Sequence, residues 1–355
     1  MLAARYHGRR DIRVEEVPEP ALAAPDEVLV EVAHCGICGT DLHEYTDGPI
    51  VTRTTPHPLT GATLPQTLGH EFAGRVVEAG AAVRDVRVGD RVSVMPAIVC
   101  GRCRYCRAGQ GHLCPQFGCT GLSAATGGLA RYAVLKEYQV TRVPDAVPDV
   151  AAAVVEPAAV AAYGVDRGGV RGGDIVLVTG AGPVGALAAL YAGAVGAGLV
   201  VVAEPNPKRA AMVAALGAGP VLDPADPDFA AALADLTEGA GVDVAVECSG
   251  SQAGLASCIA YARPAGTVVQ TGLHTRPPAI DAMALCAKDL TYAGTWCYPL
   301  TDWPRILRLI ASGRYPVERV VTSHIGLAEV VARGFEVLID PTGDQTKVLV
   351  TPDAA

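Results

Sequence analysis

The sequence predicts an α/β protein in which a β-rich region precedes a doubly wound parallel sheet. In the first 150 residues, short strand-like segments such as 28–33, 72–78 and 91–94 are separated by Gly, Pro and Asp turns. Further along, between 175 and 203, an apolar strand, a glycine turn, a helix and a second apolar strand follow one another. Because 355 residues exceed what one core usually organises, we expect two domains.

The glycine turn carries the first functional signal. Strand segments 175–179 and 199–203 enclose this turn and a helix expected over 186–195. This succession is the dinucleotide-binding fingerprint of a Rossmann domain, where absent side chains let the backbone approach a pyrophosphate at a helix N-terminus. The stretch is apolar enough to resemble a membrane span, but the order of its residues argues against one. The candidate contacts in the turn are Gly180, Gly182, Pro183, Val184 and Gly185.

An acid at the end of the second strand indicates which dinucleotide would bind. Glu204 follows the last glycine of the turn by about 20 residues, where a carboxylate can accept both ribose hydroxyls and would repel a 2′-phosphate. NAD is therefore expected, although Lys208 and Arg209 would weaken this preference if they folded back toward the ribose. Strand-like segments 242–246 and 267–271 extend the alternating pattern. Further candidate cofactor contacts are Arg209, Gly272 and Leu273.

Four cysteines are clustered in the β-rich region. Cys100, Cys103, Cys106 and Cys114 can close a tetrahedral all-sulfur zinc site, which leaves no place for water or substrate and is therefore structural. A disulfide framework is the alternative, but 11 cysteines in 355 residues are far fewer than small secreted domains carry. The N-terminus lacks the apolar core of a signal peptide, so we expect a reducing, cytoplasmic environment.

A second polar group combines one thiolate, one imidazole and one or two carboxylates. Such a mixed, incompletely filled sphere is what a catalytic zinc needs in order to polarise an alcohol or carbonyl oxygen. Asp41 could orient His70 from outside the sphere. The residues of this group are Cys35, Cys38, Asp41, His70, Glu71 and Glu156.

Charge narrows the range of ligands. The net charge is -9 and the pI is about 5.4, whereas nucleic acids and anionic membranes require basic patches. We therefore expect a small-molecule substrate, with neither nucleic acid nor membrane as a partner.

With these motifs in this order, the chain resembles the zinc-dependent medium-chain alcohol and polyol dehydrogenases over essentially its whole length. Within that family it is most similar to the 2,3-butanediol (acetoin) dehydrogenases. The segments that carry this closer likeness are 3–7, 41–45, 48–50, 56–61, 67–72, 269–274, 294–298 and 301–304. The resemblance implies a GroES-like catalytic domain formed by 1–157 and 297–355, with a structural zinc lobe at about 96–118. It implies a Rossmann NAD-binding domain over 158–296.

The resemblance also implies roles for individual residues. Cys38, His70 and Glu156 would hold the catalytic zinc, and Glu71 would enter the sphere in some states. The CxxC spacing alone would select Cys35 as a ligand together with Cys38. The resemblance implies that Cys35 is not a ligand. Thr40 would contact the substrate oxygen and pass its proton through the nicotinamide ribose to His43. Two zinc ions per subunit, NAD and a homodimer or homotetramer follow from the same resemblance.

The function implied is an NAD-dependent zinc oxidoreductase that interconverts a vicinal diol or secondary alcohol and its ketone, with 2,3-butanediol and acetoin expected first. A sorbitol/polyol or L-threonine dehydrogenase is the alternative within enzymes, because polyol members share the Glu156-Pro157 ligand. A non-catalytic NAD- and zinc-binding protein is the alternative from another class. Arg131 stands where butanediol enzymes carry an acid, and this charge reversal could favour another diol, a sugar alcohol or a plain secondary alcohol.

Overall fold

A computed structural model describes residues 1–352, and these residues form two compact units. The first unit comprises Met1–Glu156, Pro299–Ser312 and the residues from Val321 onward. The second comprises Pro157–Tyr298 and Gly313–Val320. The predicted domain assignment stays a prediction, and the observed units depart from it most at Gly313–Val320.

The described residues contain strands, α-helices and short helical turns. The strands are β1 (Leu2–Gly8), β2 (Asp11–Glu16), β3 (Glu27–Gly36), β4 (Gln66–Thr67), β5 (Glu71–Ala79), β6 (Arg91–Val94), β7 (Ala97–Ile98), β8 (Gly118–Cys119), β9 (Tyr132–Lys136), β10 (Val140–Arg142), β11 (Ile175–Thr179), β12 (Leu199–Ala203), β13 (Val221–Leu222), β14 (Val242–Glu247), β15 (Ala262–Gln270), β16 (Thr291–Gly294), β17 (Val321–Gly326) and β18 (Lys347–Thr351). The α-helices are α1 (Gly39–Asp47), α2 (Arg104–Arg107), α3 (Asp149–Ala153), α4 (Val155–Gly168), α5 (Pro183–Ala194), α6 (Pro207–Leu216), α7 (Phe229–Leu236), α8 (Gln252–Tyr261), α9 (Ala282–Ala287), α10 (Trp303–Ala311) and α11 (Glu336–Leu338). Short 3-10 helices span Gly111–Leu113, Glu137–Gln139, Leu300–Asp302, Val317–Val320 and Leu327–Glu329, and a π-helix spans Val330–Phe335.

The first unit is built on a mixed sheet with the order β10-β6-β5-β3-β18-β17, and β9 also pairs with β3. Strand β3 pairs antiparallel with β5, β9 and β18, whereas β17 and β18 run parallel. Val28, Val30 and Val32 alternate toward the core on β3, as a strand with one buried face requires. Two small sheets, β2-β1-β4 and β7-β8, complete this unit.

The second unit is a six-stranded sheet with the order β13-β12-β11-β14-β15-β16. All neighbouring strands in it are parallel. The strand order reverses between β11 and β14, and ligands of such sheets bind at the carboxyl ends of the strands flanking this point. The predicted α/β class with a doubly wound parallel sheet and a β-rich partner is confirmed.

Two element boundaries differ from the predicted ones. Helix α5 begins at Pro183 instead of 186, because Gly182 caps it and proline is favoured in the first helical turn. Strand β15 begins at Ala262, five residues before the predicted start, and ends at Gln270. The apolar segment around α5 divides into two strands and a helix, and within residues 1–352 the helices fall short of the length and apolarity that a bilayer span needs.

Candidate active site and metal centres

Three of the predicted catalytic ligands converge in the first unit. The ligand atoms of Cys38, His70 and Glu71 all lie within 4.8 Å of one another. Cys38 caps helix α1, and its Sγ accepts a bond from the Thr40 amide at 3.5 Å. Burial and the nearby Glu71 raise the pKa of Cys38, so a thiolate here needs a compensating cation. Sulfur, imidazole nitrogen and carboxylate oxygen together suit zinc.

Asp41 orients the imidazole of His70. Asp41 Oδ1 lies 3.5 Å from His70 Nδ1, and both side chains are buried. Asp41 Oδ2 accepts a bond from the Cys38 amide at 3.0 Å, which fixes the carboxylate at the start of α1. Neither Asp41 Oδ1 nor His70 Nδ1 has a hydrogen-bond partner, so the two atoms face each other as a charge contact. The arrangement leaves His70 Nε2 as the nitrogen that can bind a metal, with the acid behind it.

Glu71 is held by a lysine that the sequence analysis did not single out. Lys347 Nζ lies 2.6 Å from Glu71 Oε2, and both side chains are 1% exposed. The ammonium also donates to the Ile37 carbonyl at 3.0 Å. Burial alone lowers the pKa of Lys347, but Glu71 and Cys38 outweigh it, so this pKa is raised above its usual value. Glu71 Oε1 has no hydrogen-bond partner, which leaves one oxygen available beside the cluster.

The other predicted residues of this site lie on two helices. Glu156 is buried in the first turn of α4, and among the described residues it falls outside the group of three. It acts electrostatically on Lys347 and on the buried Cys119. Thr40 and His43 both lie on α1, three residues apart and therefore on the same side of the helix. The roles of Glu156, Thr40 and His43 stay predictions.

Cys35 is separate from the cluster despite its spacing from Cys38. Its side chain is buried in the core of the first unit, and its Sγ contacts the Gly36 carbonyl at 3.5 Å. Among the described residues, Cys35 is in neither group that could hold a metal. Cys35 lies one residue before the end of strand β3, whereas Cys38 caps helix α1, so the chain turns between them.

The four clustered cysteines form a second possible metal site. The sulfur atoms of Cys100, Cys103, Cys106 and Cys114 all lie within 4.8 Å of one another, with Cys103 and Cys106 3.4 Å apart. All four are free thiols. Backbone amides point at the sulfurs: Cys106 donates to Cys103 at 3.4 Å, and Cys100 donates to Cys114 at 3.5 Å.

Two thiols of this cluster have pKa values shifted in opposite directions. Backbone amides of Arg102 and Cys103 lower the pKa of Cys100 to about 6. Burial and the neighbouring Cys103 raise the pKa of Cys106 to about 12. Cys100 therefore ionises more readily than Cys106, and a divalent cation would favour ionisation of both. The geometry and donor set fit a closed tetrathiolate zinc site.

The predicted glycine turn joins β11 to α5 in the second unit. Gly180 has φ +88°, in the left-handed region. A Cβ on Gly185 would lie 1.8 Å from the Gly180 carbonyl oxygen, so only glycine allows this strand and helix to pack so closely. A Cβ on Gly182 would meet nothing within 4 Å and would instead fill the space in front of the helix N-terminus. Pro183 and Val184 begin α5; proline carries no N–H, so the free amides at this helix N-terminus start with Val184.

Glu204 follows β12 and faces this turn. Its Oε2 accepts a bond from the Ala181 amide at 2.6 Å, and its Oε1 accepts one from the Asn206 amide at 2.8 Å. Asn206 caps α6 through the amides of Lys208 and Arg209, which places both basic residues in the first turn of that helix. The carboxylate is thus fixed beside the glycine turn.

Gly272 and Leu273 follow the carboxyl end of β15. A Cβ on Gly272 would lie 2.4 Å from the Gly250 amide nitrogen, so the loops after β14 and β15 are packed on each other. Leu273 is exposed. Their predicted contacts with a cofactor stay predictions.

Arg131 does not leave an unbalanced positive charge. Its guanidinium lies 3.0 Å from the Glu31 carboxylate and 4.9 Å from the centroid of the Tyr132 ring. Glu31 stands opposite Tyr132 on the paired strands β3 and β9. The charge is thus paired within this sheet, and the effect of Arg131 on substrate preference stays a prediction.

Comparisons with known proteins place the chain in a family. Residues 24–145 match the alcohol dehydrogenase GroES-like domain, and residues 183–312 match the zinc-binding dehydrogenase domain. The (R,R)-butanediol dehydrogenase of Neisseria gonorrhoeae is 35% identical over 99% of this chain and 100% of its own length. The chain belongs to the zinc-dependent medium-chain alcohol dehydrogenase family.

Solved structures agree with this membership. The crystal structure of 2R,3R-butanediol dehydrogenase from Bacillus subtilis superposes with a TM-score of 0.92 at 36% identity, covering 99% of each chain. A putative zinc-binding dehydrogenase from Sinorhizobium meliloti, bound to NADP, superposes with a TM-score of 0.87 at 33% identity, again covering 99% of each chain. The dehydrogenase is therefore an oxidoreductase by family, and its two clusters of metal-ligand side chains fit the zinc chemistry of that family.

Sequence reasoning missed three buried charged residues in this dehydrogenase. Lys347 is the first residue of strand β18, and a lysine at a strand start carries no local signal of burial. Glu44 accepts bonds from the amides of Ile50 and Thr52 at 3.1 and 3.3 Å, and it also accepts the amide of Val51. Glu247 ends β14 and accepts donors from several loops. Its position directly after a predicted strand could have identified it.

Proposed function

We propose that this dehydrogenase interconverts a vicinal diol and the corresponding hydroxyketone with NAD, and that 2,3-butanediol and acetoin are its preferred pair. The observation that carries the proposal is the buried Cys38, His70 and Glu71 cluster in a chain that matches butanediol dehydrogenases from end to end. 2,3-Butanediol carries no charge. This agrees with the net negative charge of the protein, which does not favour an anionic substrate.

Cys38, His70 and Glu156 would hold the catalytic zinc, with Asp41 fixing the imidazole. Zinc, when bound, polarises the substrate oxygen and lowers the pKa of the alcohol. The ion pair with Lys347 engages one carboxylate oxygen of Glu71 and leaves the other beside the cluster, which agrees with Glu71 entering the zinc sphere in some states. Cys100, Cys103, Cys106 and Cys114 would hold a structural zinc.

Proton movement is assigned to helix α1. Thr40 would accept the hydroxyl proton of the substrate and at the same time pass its own hydroxyl proton on toward His43, one turn further along, which would exchange a proton with solvent. The partial exposure of both residues supports this assignment, since a relay must end at water. An imidazole suits exchange near neutral pH because its ordinary pKa lies there.

The second unit would bind NAD. The glycine turn and the N-terminus of α5 would receive the pyrophosphate, and Glu204 would accept the ribose hydroxyls. NAD, when bound, accepts the hydride from the carbinol carbon. The relative from Sinorhizobium meliloti is bound to NADP. The fixed position of Glu204 beside the turn favours NAD in this chain, because its charge would repel a 2′-phosphate.

The enzyme would act as a cytoplasmic homodimer or homotetramer. Its eleven cysteines are all free thiols, which suits a reducing compartment. Strand β16 is the last strand of the parallel sheet, and the region before it exposes Ile280 and Met283, the latter by 76%. An unpaired strand edge beside apolar side chains favours association with a second copy.

The test is NADH formation by the zinc-loaded enzyme from each 2,3-butanediol stereoisomer, sorbitol and L-threonine in parallel. The proposal expects the highest kcat/KM with one butanediol isomer and reduction of acetoin in reverse. A higher value with sorbitol or threonine would move the enzyme to the polyol or threonine type. Absence of turnover with NADH binding retained would indicate a non-catalytic protein.

A further inference from the structure

The carboxylate of Glu247 gathers donors from the ends of three neighbouring strands. It is fully buried, at 0% exposed. It accepts the amides of Ser249 at 2.8 Å and Gly250 at 3.1 Å, together with the Ser249 hydroxyl. Across the sheet, Gln270 Nε2 donates to it at 2.6 Å from β15, and Thr179 Oγ1 donates at 3.4 Å from β11. Thr179, Glu247 and Gln270 stand in one row of the sheet register.

The hydrogen-bond partners of the Glu247 side chain suit a carboxylate better than an amide. Every group bonded to the Glu247 side chain is a donor, and an ionised carboxylate is an acceptor at both oxygens. His274 Nε2 also lies near, 3.8 Å from Glu247 Oε2. A glutamine at this position would place its NH2 group against N–H donors and lose at least one bond.

The bonds fasten the two loops that leave β14 and β15. The backbone carbonyl of Glu247 accepts the amides of Thr271 at 2.9 Å and Gly272 at 2.7 Å, and Gln270 Nε2 also donates to the Gly272 carbonyl at 2.6 Å. A Cβ on Gly272 would lie 2.7 Å from Glu247 Oε2, so this backbone packs directly on the carboxylate. The carboxylate thus bonds the loop after β14 directly, and it reaches the loop after β15 through Gln270.

The same loops adjoin the glycine turn. A Cβ on Gly180 would lie 2.9 Å from Ser249 Cα, which places the loop after β14 against the first glycine of the turn. Gly272 and Leu273 follow the end of β15. All of these elements lie at the carboxyl ends of the parallel strands, where open α/β sheets bind their ligands.

We propose that Glu247 is a positioning residue for the dinucleotide: its carboxylate holds loops 248–251 and 271–274 in the arrangement that receives NAD. The inference rests on the proposed function, because it assumes that NAD binds at this edge of the sheet. If loosened loops are correctly arranged only a fraction of the time, the apparent Kd rises by the inverse of that fraction.

The experiment compares Glu247→Gln with Asp243→Asn in the zinc-loaded, full-length enzyme. Asp243 lies on the same strand, β14, but its carboxylate bonds the Ile175 amide at 2.8 Å and Arg263 at 2.6 Å near the amino ends of the strands. Both variants lose a carboxylate that supports the sheet, so stability falls in both. Only the first variant alters the edge that is proposed to bind the dinucleotide.

Affinity for NADH is measured by fluorescence titration, and amide hydrogen exchange reports on the loops. Glu247→Gln is expected to raise the Kd at least tenfold, to raise the KM for NAD more than it lowers kcat, and to speed exchange at 248–251 and 271–274. Asp243→Asn is expected to keep the Kd within twofold. Equal affinity of Glu247→Gln and wild type, or an equal loss in Asp243→Asn, would overturn the inference.

The experiment stays decisive if Glu247→Gln fails to fold or if the wild-type enzyme does not bind NADH. If Glu247→Gln does not fold, Gln270→Met removes one donor to the carboxylate and to Gly272 while leaving Glu247 in place, and it is expected to raise the Kd at least threefold. A folded Gln270→Met variant with unchanged affinity would count against the positioning role. If wild-type enzyme does not bind NADH, the proposed function itself is refuted, and this inference with it.

Discussion

Replacing Lys347 by methionine would test the buried ion pair beside the catalytic cluster. The ammonium lies 2.6 Å from Glu71 Oε2, and each side chain is 1% exposed. Methionine keeps much of the length of the side chain and its apolar stem but removes the charge. The variant therefore leaves the Glu71 carboxylate buried without its cation.

The expected penalty is large because a single buried charge cannot be solvated. Removing one partner of a buried ion pair costs about 3–5 kcal/mol. The first unit has about 200 residues, and in domains of that size each kcal/mol shifts the Tm by about 2–4 °C, so a decrease of about 6–20 °C is expected. The loss should be smaller in zinc-loaded protein, because the ion then offers Glu71 another cation.

Urea unfolding and thermal melts, with and without chelator, measure this penalty. Lys136→Met is the matched control: Lys136 lies 2.7 Å from Asp26, but these side chains are 36% and 53% exposed. Removal of such an exposed pair changes stability by about 0–1 kcal/mol. The double variant Glu71→Gln with Lys347→Met should recover part of the loss, because it removes the stranded charge.

A loss in Lys347→Met no larger than in Lys136→Met would refute this reasoning. So would an equal loss in the double variant. Either result would mean that Glu71 is not held as a buried anion by Lys347.

Three further variants address the metal and cofactor sites. His70→Ala is expected to abolish turnover and to leave the Kd for NADH within about twofold, by activity assay and titration, and retained turnover would contradict the metal assignment. Cys103→Ser should lower zinc from two equivalents to one and lower the Tm, and elemental analysis that still finds two would reject the four-thiolate site. Glu204→Ala should reduce the preference for NAD over NADP in kcat/KM about tenfold or more, whereas unchanged discrimination would exclude its contact with the ribose.

The parallel sheet was predictable because its signals are local. Predicted strands 175–179 and 199–203 coincide with β11 and β12, since buried parallel strands are continuous apolar runs bounded by glycine. The helix between them was predicted to start three residues late. The helix starts at Pro183 because Gly182 caps it. Gly182 also belongs to the predicted glycine turn, and the helix start was therefore predicted later.

The metal clusters were predictable to different extents. The four cysteines lie close together in sequence, so their spacing alone indicated a site. Cys38 and His70 are brought together only by the pairing of β3 with β5, and resemblance to known dehydrogenases was needed to choose Cys38 over Cys35.

Local sequence patterns could not predict contacts between residues that are far apart in the sequence. Lys347 is 276 residues from Glu71, and β18 brings it to the site by pairing with β3. A lysine at the first position of a strand is usually exposed, so nothing in the sequence indicated its buried partner. Glu247 likewise stood at a recognised strand end, while its donors come from β11, β15 and the loop after β14.

Zinc content measured together with diol oxidation tests the central claim most directly. The account predicts two zinc equivalents per chain, loss of NADH formation from 2,3-butanediol when chelator removes them, and recovery on adding zinc back. Enzyme that contains one equivalent or none and oxidises the diol undiminished after chelation would contradict it.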